Sequence, residues 1–235
     1  FLFYRHVTHR WRIITIACVG IALRLFYFTY TPYAVRAHDV GGHLEYIRYV
    51  AEHWLIPPSH GGFQFYQPPL YYFFSAAIYR VGQVICDDPL LLIQIVSLLV
   101  SALSLAIAFF IGSLLFDKKS QQTSMQLYCW AIATLPGLIF FATRINNDVF
   151  FQLFSFAAIA SILYWWKKGG GIRSWIIFSA ILALGMCAKT NMVIFYPVAL
   201  ISLLLAQKMQ WKKKLMLFLI LIGIYALVCG SITFT

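Results

Sequence analysis

The chain of 235 residues is 62% hydrophobic, 18% aromatic and 11% charged, with a formal net charge of +11 and a mean hydropathy of +0.80. So few charges cannot cover the surface of a soluble domain of this size, so lipid must cover part of it. The basic excess does not imply a nucleic-acid partner, because the basic residues sit in short clusters between apolar runs, the pattern of topology signals facing anionic headgroups.

In chain order, apolar runs suited to spanning helices occupy 11–30, 89–116, 127–143, 148–166, 174–189, 191–207 and 214–233. The first is too long for a signal-peptide core and reads as a signal anchor. The chain begins at Phe1 rather than Met and stops at Thr235 in or just past an apolar run, so it is expected to be part of a longer protein, with 1–235 as one transmembrane domain. Cys18, Cys129, Cys187 and Cys229 lie within apolar runs and read as small hydrophobes; no CxxC pair or metal-ligand spacing occurs.

An eighth run, 68–86, opens with Pro68-Pro69 and carries Tyr71, Tyr72, Tyr79, Arg80 and Gln83. If it does not span, one side holds Arg5, Arg10, Arg12, Lys118, Lys119, Lys167, Lys168, Arg173, Lys208, Lys212, Lys213 and Lys214, and the other holds Arg36, Arg48, Arg80, Arg144 and Lys189. That is 12 basic residues against 5, so the first side is cytoplasmic. Six of the seven acids then fall outside. The expected fold is therefore an all-α polytopic membrane protein with about seven transmembrane helices and a cytoplasmic N-terminus. Amphipathic juxtamembrane helices would lie in a long first outer loop, 31–88. Leu44, Ile47, Val50, Ala51, Trp54 and Leu55 share one face of the first of these, opposite Glu45, Arg48 and Glu52, so it is expected to lie flat on the bilayer with Trp54 at headgroup depth.

Three outer places hold polar groups that apolar packing does not require. In His38-Asp39-Val40-Gly41-Gly42-His43, Asp39 is either a general base or metal ligand with His43, or an N-cap. In Thr143-Arg144-Ile145-Asn146-Asn147-Asp148, the polar groups either line a cavity or make a solvated turn, and Arg144 has the fork geometry for a phosphate. In Lys189-Thr190-Asn191, Lys189 either meets a phosphate or carboxylate or snorkels to the interface. The stretch Gln64-Phe65-Tyr66-Gln67-Pro68-Pro69-Leu70-Tyr71-Tyr72 is rigid and aromatic, suited to sugar stacking or to anchoring. Arg24, inside the first run, needs a partner that the sequence does not identify.

An acid after the first helix, His and Tyr on an amphipathic outer helix, YQPPLYY, and an Asn-Asn-Asp turn two helices later occur here in that order. The order, over roughly 11–195, resembles C-superfamily glycosyltransferases, nearest to the protein O-mannosyltransferase and aminoarabinose-transferase-like branch. The resemblance implies a multi-pass enzyme of the bacterial inner membrane or endoplasmic reticulum. Its outer or luminal active site would take a sugar from a polyprenyl-phosphate donor, usually with inversion, to an acceptor protein, lipid or glycan. It carries the catalytic acids onto Asp39 and Asp148. Where many relatives have a second acid after the first, this chain has Val40, leaving His43 or Glu45 as substitutes. Tyr66, Gln67, Asn146 and Asn147 join His38, Arg144 and Lys189 as substrate-binding candidates. Some relatives use a divalent cation (Mg or Mn) and others do not, so no cofactor is assigned. Two other functions fit the same polar groups. A transporter or flippase of lipid-linked intermediates would show repeated halves, which the sequence lacks. A noncatalytic assembly subunit would use the outer loop for docking.

Overall fold

The structure, a computed structural model, describes residues 2–37 and 39–230. Among these it is helical with no strand. The helices are α1 (Leu2–Tyr30), α2 (Tyr33–Arg36), α3 (Val40–His53), α4 (Leu70–Ile85), α5 (Pro89–Leu115), α6 (Gln122–Thr134), α7 (Pro136–Phe140), α8 (Asp148–Lys167), α9 (Ile172–Ala188), α10 (Phe195–Leu205) and α11 (Trp211–Cys229). Short 3-10 turns cover Lys119–Gln121, Phe141–Thr143 and Thr190–Ile194.

All seven apolar runs are helical over most of their described length. Arg10–Tyr30 of α1, α5 and α8 are long and apolar enough to cross a bilayer, and the bent pair Lys119–Thr134 with Pro136–Thr143 makes a fourth if it counts as one span. Ile172–Ala188 and Thr190–Leu205 are shorter apolar helices, and α11 opens with Lys212, Lys213 and Lys214. The fold is that of a polytopic α-helical membrane protein.

The bent pair explains Arg24. Pro136 has no N–H to continue α6, and Leu135 before it is extended, so the helix turns by 47°. The guanidinium of Arg24, 1% exposed, donates to the Ala133 carbonyl at the break (3.2 Å), to the Gly20 carbonyl (2.9 Å) and to Ser101 Oγ (3.0 Å). A charge that costs several kcal/mol in lipid is thus used to satisfy a broken helix. Ser101 belongs to a buried stripe on α5, Gln94, Ser97, Ser101 and Ser104, at helical spacing. Gln94 in turn accepts from Arg36 Nη1 at 3.0 Å, while Arg36 Nε donates to the Thr31 carbonyl.

The outer-loop helices differ from expectation. The buried face of α3 is His43, Tyr46, Ile47, Val50 and Ala51. It packs on Tyr71, Tyr72 and Ala76 of α4 and on Ile145, Val149, Phe150 and Ala188 in one apolar cluster. The apolar face is therefore spent on protein contacts, and only its C-terminal end, Trp54 and Leu55, is exposed. Tyr46 and His43, which the apolar count omits, turn the face inward. Helix α4 has 16 residues, or about 24 Å of helix against a hydrocarbon core of about 30 Å.

The bundle has two chemically different ends. At one, Lys167 at the end of α8 pairs with Asp117 after α5 (2.6 Å), and Gly170 packs close to Met209 before α11. The contacts of Ile16 with Met125 and Cys129 run α1 alongside α6, so the N-terminal part of α1 joins this basic end. At the other, some 30 Å away along the 20-residue α8, lie Asp148, α3, the start of α4 and Lys189.

At the turn from α4 to α5, Asp88 Oδ1 caps Leu90 N at 2.9 Å and Pro89 occupies the first helical turn. A Cβ on Gly82 would lie 2.9 Å from Pro89 Cα, and a capped backbone cannot yield cheaply. Gly82→Ala is expected to lower stability by roughly 1–3 kcal/mol, read as a fall in melting temperature of the detergent-purified protein.

Candidate active site

The polar end is built around Asp148. This residue opens α8, where the helix dipole favours an anion, and Lys189 follows α9, where the dipole favours a cation. The two form a salt bridge between Lys189 Nζ and Asp148 Oδ1. Its side chains are 16% (Lys189) and 28% (Asp148) exposed, so the pair remains open to a ligand. Asn146 Nδ2 donates to Asp148 Oδ2 (3.2 Å), and the Asp148 amide donates to Asn146 Oδ1 (3.2 Å).

Asn147 ties this turn to the outer loop. Its Nδ2 donates to Gln67 Oε1 (3.1 Å) and to the Ala188 carbonyl (3.3 Å). Thr143, Ile145, Asn146 and Asn147 are all buried, so this is no solvated turn. Arg144 lies over the Phe141 ring (5.6 Å), and its Nε is buried without a hydrogen-bond partner.

Asp39 takes a left-handed backbone (φ 58°) and does not cap α3 with its side chain, so the N-cap reading fails. That conformation costs a non-glycine residue about 1 kcal/mol, least for Asp and Asn, and such costs gather at functional sites. His43, one turn on, pairs Nδ1 with Tyr72 Oη at 2.9 Å, and Tyr72 stacks on Tyr46 with centroids 3.7 Å apart. Burial pushes the His43 pKa down to about 4, against the smaller upward pulls of Asp148 and Asp39, with Lys189 adding to the fall. All three charges are felt by the His43 imidazole, and Asp148 and Lys189 are in direct contact with each other.

Two further candidates line separate cavities. Glu45 projects toward the 61–62 turn, where a Cβ on Gly62 would be 3.0 Å from Glu45 Oε2. It lines a cavity of about 470 Å³ with Gly41, Arg48, Tyr49 and Glu52. Tyr66 is exposed and lines, with Gln67 and Thr190, a second cavity of about 480 Å³. His38 lies outside the described residues. Among the described residues, no group of three or more His, Cys, Asp or Glu is placed to share a metal ion. A larger groove of about 940 Å³ opens between α5, α8 and α9 near Lys168 and Arg173, but it touches none of the candidates and its walls are mostly apolar.

The stripe on α5 and the Arg36–Gln94 bond were missed, although four polar residues at helical spacing in an apolar run were a readable signal. The His43–Tyr72 pair crosses 29 positions, and no local pattern announces it.

Fold and site together define a multi-pass membrane protein with a buried-edged polar centre at one end of its helices. Residues 66–232 match the dolichyl-phosphate-mannose-protein mannosyltransferase family, and the chain belongs to it. It is thus a membrane glycosyltransferase of the mannosyltransferase type. No curated protein and no solved structure gives a match.

A histidine neutral when folded must gain a proton more readily when unfolded. Between the ordinary imidazole pKa of 6.5 and about 4 the unfolded chain binds more protons, so stability falls as the pH drops through that window. Wild-type protein should lose melting temperature over this range more steeply than His43→Phe, as followed by thermal unfolding against pH.

Proposed function

We propose that the chain transfers a sugar from a polyprenyl-phosphate donor to an acceptor hydroxyl or amine on the outer or luminal face, with Asp39 as the base. The observation that supports this reading is the part-exposed Asp148–Lys189 pair, whose charges, with that of Asp39, are felt by the buried His43. In this scheme Asp39 takes the acceptor proton as the acceptor oxygen or nitrogen bonds to the anomeric carbon. The bond from that carbon to the phosphate oxygen breaks, and the lipid phosphate leaves with the electron pair. Attack from the side opposite the phosphate inverts the centre.

The departing phosphate needs fixed positive charge where its own charge develops. Lys189 has three N–H donors, of which Asp148 occupies one, and Arg144 Nε has no partner. Lys189 therefore has donors left for phosphate oxygens, and the half-buried Arg144 supplies a second cation near the same turn. Asp148 holds Lys189 in place, and Asn147 with Gln67 fixes the rim. Tyr66 offers an exposed ring for a sugar face. The basic clusters at the far end of the bundle favour a cytoplasmic location for it, which directs the polar end outward.

With purified protein, a polyprenyl-phosphate mannose donor and a hydroxyl acceptor in proteoliposomes, Asp39→Asn should cut transfer about 100-fold or more while donor binding changes little. Near-normal transfer would remove Asp39 from the base role. In intact cells, an impermeant maleimide should label a cysteine placed at position 66 and spare one at 168; the reverse pattern would overturn the orientation.

A further inference from the structure

Cys187 lies in the last turn of α9, and Cys229 ends α11. They are 42 positions apart, yet their sulfurs approach to 3.5 Å. Cys229 Sγ also lies 3.5 Å from the Ala183 carbonyl, and Cys187 Sγ 3.9 Å from that of Val228. Reading each cysteine alone as a small hydrophobe misses the pairing, which only the packing of α11 on α9 creates. Of the remaining cysteines, Cys18 is exposed, Cys86 half-buried and Cys129 buried. Cys129 sits in a separate apolar cluster with Ile16 and Leu105.

Both sulfur-bearing residues line the cavity of about 480 Å³ that also includes Tyr66, Gln67 and Thr190. The pair, itself buried, therefore borders a cavity at the polar end, and Cys187 is two positions from Lys189.

We propose that Cys187 and Cys229 are a disulfide-forming pair, oxidised by exchange with a small-molecule disulfide. One cysteine, as thiolate, attacks the oxidant's S–S bond and expels one thiol, leaving a mixed disulfide. The other then attacks the protein sulfur and expels the second thiol. Overall, two protein thiols and one small disulfide become one protein disulfide and two small thiols, so the protein loses two electrons and two protons to the oxidant. The sulfurs need only close from 3.5 Å to about 2.05 Å. The bond staples α11 to α9 beside the residue that positions Asp148. Oxidation in the cell rests on the outward orientation proposed above; the pairing chemistry does not.

The test uses purified full chain, treated with oxidised glutathione or with dithiothreitol, then denatured and labelled with maleimide-polyethylene glycol. The reduced protein should carry five labels, one for each cysteine, and the oxidised protein three, five less the two of the pair. Peptide mapping without reductant should recover a fragment joining Cys187 to Cys229, and no such fragment should come from Cys187→Ser, whose Cys229 can go no further than the mixed disulfide. Wild-type protein should also melt higher oxidised than reduced, with no such difference in Cys187→Ser. Five labels after oxidation, or a linkage joining other cysteines, would overturn the proposal. Sided labelling in cells separately reports whether the orientation fails.

Discussion

The salt bridge between Asp148 and Lys189 joins the beginning of one membrane helix to the end of the next. Each charge sits at the helix end whose dipole suits it, and each shares its neighbours with a second network. Asn146 braces Asp148, while Asn147 bonds to the Ala188 carbonyl beside Lys189 and to Gln67 on the outer loop. The loop carrying α3 and α4 is therefore fastened to the bundle at its polar centre as well as through apolar contacts. Such a pair, partly open to water, adds modestly to stability. Its larger effect is geometric, because it fixes where a cation and an acid stand at the membrane boundary.

The remaining buried polar groups follow a similar economy. Arg24 spends its donors on the carbonyl released where Pro136 breaks a helix and on Ser101 of α5. Arg36 reaches Gln94 on the same stripe of α5. Helix α5 is thus the polar-lined post against which α1 and the outer loop are set. Its other face, with Leu91, Leu99 and Leu103 exposed, is left for lipid.

Helix positions were legible because apolar runs of bilayer length announce themselves, and the far-end basic clusters were legible as helix ends and the turns between them. The groups that meet at the polar end were legible as short motifs, since the Asn-Asn-Asp turn and Lys189 interrupt apolar sequence where packing does not need them. Their mutual arrangement was not, because it depends on partners 80 positions apart for Asn147 with Gln67 and 41 for Lys189 with Asp148. The face of α3 was misjudged for a related reason: Tyr46 and His43 count as polar or ambiguous in a periodicity, but a tyrosine stack buries both. Glu45, near Asp39 in sequence, projects instead toward the 61–62 turn.

The Asp148–Lys189 pair marks the polar centre of a chain that belongs to a mannosyltransferase family. The charge-swapped protein Asp148→Lys with Lys189→Asp tests most directly whether that centre is chemical or only structural. If Lys189 serves the leaving phosphate from its present place, the swap should recover part of the thermal stability lost in either single variant while sugar transfer in proteoliposomes stays as low as in the worse of them. Transfer that returns in step with stability would contradict a role beyond holding two helices together.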